Sequence, residues 1–143
     1  VGGCGGFRVE PTTAPLRSES LLASTPASHL QVVLAPGMAG DKIAMLQRHH
    51  VLEAMHDRIA EALRGRGRLR DAPGGPLVLV VVREFRNPRY GESFLTAEVE
   101  VRLLGGEVAH RFVASQATNR VTSRTGRLRI LAQGVVDAVV AGL

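Results

Sequence analysis

His49, His50, Glu53, His56 and Asp57 crowd into one short stretch of helical periodicity. On a helix, His49, Glu53 and His56 stand four and three residues apart and share one face. Two imidazoles and a carboxylate so placed can ligate Zn²⁺ or Ni²⁺. Glu53-Ala54-Met55-His56 also has the Glu-x-x-His spacing of di-iron bundles. Those centres need a second such motif and two further Glu-bearing helices, and the sequence has neither. A polar helix face with i,i+4 pairing is the simpler account. The expectation is no metal, with a metal-binding protein on the His49/Glu53/His56 face kept as an alternative.

Other chemistries lack their parts. No G-x-S-x-G elbow occurs. His110 and Ser115 lie five apart in one strand pattern and point to opposite faces. Glu98 and Glu100 share the polar face of a strand, roughly 7 Å apart by strand rise. Arg102 beside them and the lack of aromatic sugar platforms point to a solvated sheet face. The glycine pairs at 74–75 and 105–106 read as turns, since no phosphate-loop pattern runs from strand into helix. We expect no catalytic residue, no cofactor and no enzymatic activity.

Composition narrows the field further. The 143 residues suit one domain; 45% are hydrophobic and 22% charged, so most of the chain should fold. The longest apolar run, Leu77 to Val82, is too short to cross a bilayer. A single cysteine excludes an internal disulfide framework and a Cys-rich zinc site. The net charge is +5 and the pI about 10.9, yet Lys42 is the only lysine. Arg64, Arg66, Arg68 and Arg70 form the one basic cluster. Gly65 and Gly67 interleave with it, which reads as a helix-ending loop. A small basic nucleic-acid-binding module is a second alternative. With no Trp, one Tyr and four Phe, stacking platforms for single strands are missing, and no nucleic acid partner is expected.

The elements that must position any site follow from periodicity. Residues 1–28 are rich in Gly, Pro, Ser, Thr and Ala and read as a flexible tether. Residues 29–143 read as a single α+β domain of order β-α-β-β-β-α. A mainly antiparallel sheet with two helices packed on one face is the simplest burial scheme. The first strand, 29–35, ends at Pro36-Gly37. Asp41 offers the N-cap of a long helix reaching Arg64, with Met45, Leu52, Met55, Ile59 and Ala62/Leu63 as its apolar stripe. Leu77 to Val82, apolar on both faces, reads as a central strand covered on both sides or as a strand at a homo-oligomer interface. Residues 94–103 alternate, with Ala97, Val99, Val101 and Leu103 on one face. A Gly105-Gly106 turn returns the chain through 108–115. Ser123 or Thr125 can cap a last helix striped by Leu128, Leu131, Ala132, Val135, Ala138/Val139 and Gly142.

Arg83 to Glu92 joins two strands with three Arg and the only Tyr. Exposed Arg, Tyr and Phe anchor protein interfaces. Phe85, Arg86, Arg89 and Tyr90 are therefore the candidate protein-binding residues.

Val1-Gly2-Gly3-Cys4 resembles the lipobox that ends a bacterial lipoprotein signal: an aliphatic residue, two small ones and the lipid-accepting Cys. The resemblance implies lipid attachment at Cys4, with the charged and apolar parts of the leader lying ahead of Val1. Gly5, which is not Asp, implies the outer membrane, with the domain on its periplasmic face. Stable anchoring takes more than one acyl chain. From Val32-Val33-Leu34-Ala35-Pro36, Leu77 to Phe85, Leu95 to Leu104 and Leu128 to Leu143, the folded part resembles auxiliary lipoproteins of ABC-type transport systems. It is also similar to lipoproteins related to the N-terminal domain of TolB and to penicillin-binding-protein activators. Neither resemblance carries a catalytic residue. Both imply a non-enzymatic, lipid-anchored adaptor or accessory protein that binds a protein partner in an envelope transport or assembly complex.

Overall fold

Residues 8–9, 21–120 and 122–143 are described by the computed structural model of the chain. A short strand β1 (Arg8–Val9) and a single helical turn α1 (Leu21–Ser24) precede β2 (His29–Leu34). Then come α2 (Gly40–Arg48), α3 (Val51–Gly65), β3 (Leu77–Arg86), β4 (Ser93–Arg102), β5 (Val108–Thr118) and α4 (Arg124–Gly142). The strands form one sheet of order β1-β5-β4-β3-β2. The pair β2–β3 is parallel and the others antiparallel. A parallel pair needs a crossover, which α2 and α3 supply. The α+β class and the expected element order hold.

The alternation of β4 decides which face is covered. Leu95, Ala97, Val99 and Val101 are buried and meet Val78, Val80, Val82 and Phe85 of β3 and Phe112 and Ala114 of β5 in one core. Over them lie α3, packed on β2, and α4, packed on β4 and β5, with the two helices touching. From α4 come Leu128, Leu131, Val135, Ala138 and Val139, all within the expected stripe and all buried. Ser123 is the cap, its hydroxyl accepting from Gly126 N at 2.9 Å.

On the opposite face of the sheet, Gln31, Leu79, Glu100 and Arg111 form one cross-strand row. Val33, Val81, Glu98 and Val113 form the next. β3 is an interior strand, between β4 and β2, but the second face is only partly covered there: Leu79 of β3 is half-buried and Val33 beside it on β2 is 38% exposed.

Four expectations need correction. First, the helix expected from Asp41 to Arg64 is broken at His49-His50. His50 takes a left-handed conformation, φ 49° and ψ 43°, which resets the helical phase. The buried set becomes Leu46, Val51, Met55, Ile59, Ala60 and Leu63, with Met45 and Leu52 at its margin. Second, Asp41 is not a cap. Ala39 precedes the first turn of α2 and offers no side-chain hydrogen bond. Third, the stretch read as a tether enters the fold before residue 29, because Leu22 and Ala27 are fully buried in the core. Ala27 also exchanges backbone hydrogen bonds with Arg68 and Arg70. Fourth, β3 runs to Arg86, so the expected loop from Arg83 shrinks to 87–92.

Candidate functional site

The β3–β4 connection is held from beneath by side chains of α4. Arg124 donates through Nε and Nη2 to the Asn87 carbonyl at 3.1 and 2.9 Å. Asn87 Nδ2 returns a hydrogen bond to the Arg124 carbonyl at 3.0 Å. Arg127 divides its donors three ways: Nε to Asn87 Oδ1 at 3.2 Å, Nη2 to the Pro88 carbonyl at 2.6 Å and Nη1 to the Thr122 carbonyl at 2.9 Å. Ser93 Oγ, at the start of β4, also donates to Asn87 Oδ1, at 3.0 Å. Asn87, Ser93 and Arg127 are all buried.

This arrangement runs against local preference. A helix N-terminus carries partial positive charge and disfavours cations, yet Arg124 and Arg127 sit in the first turn of α4, which has no acidic residue. Every acceptor of Arg127 is a neutral oxygen. The tertiary hydrogen bonds therefore outweigh both the helix dipole and the cost of burying a guanidinium. The result is a short loop fixed at both ends, with its tip in solvent. Tyr90 is 82% exposed, and Arg86 and Arg89 are exposed beside it. A tip held on a rigid base offers an aromatic ring and two guanidinium groups with little ordering entropy left to lose.

Of the four residues expected to bind a partner, the structure keeps Arg86, Arg89 and Tyr90 accessible and removes Phe85. That ring is 2% exposed and belongs to the core. A bulge between Val82 and Glu84 is the cause. The extra residue shifts the alternation by one and turns Phe85 inward. Asn87, Ser93, Arg124 and Arg127 escaped the sequence reading. The available signals were Asn87-Pro88, a turn-initiating pair, and arginines where a helix start disfavours them.

The candidate metal face is dispersed. His49 sits in the helix break, so it does not share a continuous helix with Glu53. Glu53 Oε2 instead lies 3.0 Å from His50 Nδ1. This hydrogen bond is the main cause of a Glu53 carboxyl held below its ordinary value. His56 faces Asp57 and the Leu30 carbonyl, each at 3.2 Å. Among the described residues no group of three His, Cys, Asp or Glu could hold a metal ion. The Arg64–Arg70 cluster closes the C-terminal end of α3. Arg64 is 3.8 Å from Asp71, and Leu69, buried, divides the run. Cys4 lies outside the described residues. Among those described, no helix is long and apolar enough to cross a membrane.

The helix-free face holds the one carboxylate that is buried among the described residues. Glu100, 5% exposed, accepts from Arg102 Nε at 2.9 Å and from Arg111 Nε and Nη2 at 2.9 and 2.5 Å. Burial pushes its carboxyl upward, but the two guanidinium groups prevail and hold it below the ordinary value.

No family model matches the chain, and no curated protein matches it in sequence. Solved structures do share its fold. A PelC dodecamer from Paraburkholderia phytofirmans is similar at 15% identity and a TM-score of 0.52, over 95% of this chain and 96% of that one. An uncharacterised protein matches at 14% identity and a TM-score of 0.56, over 82% and 90%. A minor lipoprotein from Acinetobacter baumannii matches at 13% identity and a TM-score of 0.43, over 80% and 87%. At these identities the likeness to the first two is one of fold.

Proposed function

We propose that this chain is a non-enzymatic accessory lipoprotein of the bacterial envelope. It is anchored through lipid on Cys4 to the periplasmic face of the outer membrane, and it docks a protein partner of an envelope complex. The observation that carries the docking role is the clamped loop at 87–92. Hydrogen bonds from Arg124, Arg127 and Ser93 converge on Asn87 and Pro88 to present Arg86, Arg89 and the 82% exposed Tyr90. The lipobox-like Val1-Gly2-Gly3-Cys4 supports the anchor.

A similar fold has been solved as a PelC dodecamer, and this supports assembly of several copies. The incompletely covered sheet face at Val33 and Leu79 is the surface we assign to that contact. Neither part requires a catalytic residue.

Two measurements test this reading. Intact mass of the protein exported from bacteria should show diacylglycerol plus N-acyl on Cys4, and Cys4→Ala should move the protein to the soluble periplasm. An unmodified Cys4 in a soluble fraction would overturn the anchor. A photo-crosslinker at Tyr90 should trap one envelope protein, and Arg86→Ala with Arg89→Ala should abolish the adduct. If the double variant leaves it unchanged, the loop is not the docking site.

A further inference from the structure

The seam between α3 and α4 is not closed along its outer side. A groove of about 220 Å³ opens between the N-terminal halves of the two helices. Its floor is apolar: Val51 and Met55 from α3, and Leu128, Ala132 and Val136 from α4. Its rim carries Arg58 from α3 and Arg129 from α4, and no carboxylate lines this end. Arg58 donates across the seam to Gln133 Oε1 and keeps further N–H groups over the groove. Arg129 is exposed at the rim.

Past Arg58, Gln133 and Val136 the groove continues into a wider trough of about 640 Å³, where Glu61 and Asp137 join Arg58 and Arg66 in the lining. Carboxylates thus line only the wider end. Pockets that take drug-sized ligands hold roughly 300–1,000 Å³. The narrower part, between Val51 and Val136, is smaller than that and suits one extended alkyl chain rather than a ring system or a helix. An anionic head would find two guanidinium groups over the apolar floor, with bidentate carboxylate recognition open to each. A cationic head would meet only repulsion there.

We infer that the α3–α4 groove is a binding site for a single-chain alkyl carboxylate, its head between Arg58 and Arg129 and its tail on Met55, Leu128 and Val136. The site is remote in sequence from the 87–92 loop and does not depend on the adaptor role.

The test is a titration of the full chain with decanoate below its micelle concentration. It is followed by calorimetry and by backbone amide shifts, with acetate and decyltrimethylammonium as matched probes. Decanoate should saturate at one per chain, with shifts centred on residues 51–58 and 125–136. The other two probes should bind about tenfold more weakly or worse. Arg58→Gln with Arg129→Gln should weaken decanoate about tenfold, and Ala132→Leu, which fills the floor, should abolish binding. If Ala132→Leu fails to fold, the exposed arginine pair still decides. Equal affinity for the cationic amphiphile, shifts centred elsewhere, no saturation, or unchanged binding in the double arginine variant would each overturn the inference.

Discussion

Asn87 and Arg127, 40 residues apart in the chain, meet in a buried hydrogen bond of 3.2 Å. The same Asn87 oxygen accepts from Ser93, and the same guanidinium reaches the Pro88 and Thr122 carbonyls. Asn87→Ala therefore strands two buried donors at once. Leaving a buried polar group unsatisfied costs about 1–3 kcal/mol. Urea denaturation should show a loss in that range, and hydrogen exchange at residues 88–92 should accelerate. A variant with wild-type stability and unchanged exchange would show that the clamp does not fix the loop.

Glu100 gives the fold an acid-sensitive element. Its carboxyl is held below the ordinary value of 4.5, so the folded state binds its proton less readily than the unfolded chain does. The stabilisation is fully present above that ordinary value and is lost as pH falls below it through the folded value. The denaturation midpoint should drop on acidification below about 4.5. Glu100→Gln should lower stability at neutral pH, because Arg102 and Arg111 lose their charged acceptor. It should also flatten the pH dependence below about 4.5, where the wild-type carboxylate takes up its proton. A parallel profile for variant and wild type would assign the acid sensitivity to other groups.

Gly134 lies where α4 crosses β5. A Cβ there would run into the side chain of Gln116, which is itself buried. Alanine normally stabilises a helix by about 1 kcal/mol over glycine. Here overpacking, typically about 1–3 kcal/mol, should prevail. Gly134→Ala should lower stability, and adding Gln116→Ala should recover most of the loss. A double variant no more stable than Gly134→Ala alone would place the conflict elsewhere.

Legibility in this chain tracks how local the determining interaction is. The alternation of Ala97, Val99 and Val101 and the stripe of Leu128, Leu131 and Val135 are local periods, and both elements lie where those periods place them. Phe85 shows how one residue defeats a period. Counting by two from Val82 puts Glu84 inward and Phe85 outward, and the bulge at Arg83 exchanges them. Leu22 and Ala27 sit in a Pro- and Ser-rich setting whose composition suggests a tether, and only the core they complete makes them structural. The clamp could not be read from spacing, because its members come from the 87–92 loop, β4 and α4 and its chief cation opposes the helix dipole. Of the candidate site, the exposed tip was legible and the base that fixes it was not.

The break between α2 and α3 had no glycine or proline to announce it. His50 adopts φ 49°, a region where a residue with Cβ is strained by about 1–2 kcal/mol relative to glycine. Its hydrogen bond to Glu53 is exposed on both sides, so losing that contact should matter little. His50→Gly should leave stability unchanged or raise it by up to about 1 kcal/mol, since glycine also carries more unfolded-state entropy. His50→Val should lower stability by about 1–2 kcal/mol, because a β-branched side chain is a true outlier at positive φ. His49, at φ −96°, supplies the control: His49→Val should cost distinctly less. Thermal melts of the three variants read this directly, and equal losses at the two positions would mean that the helices join without a left-handed residue.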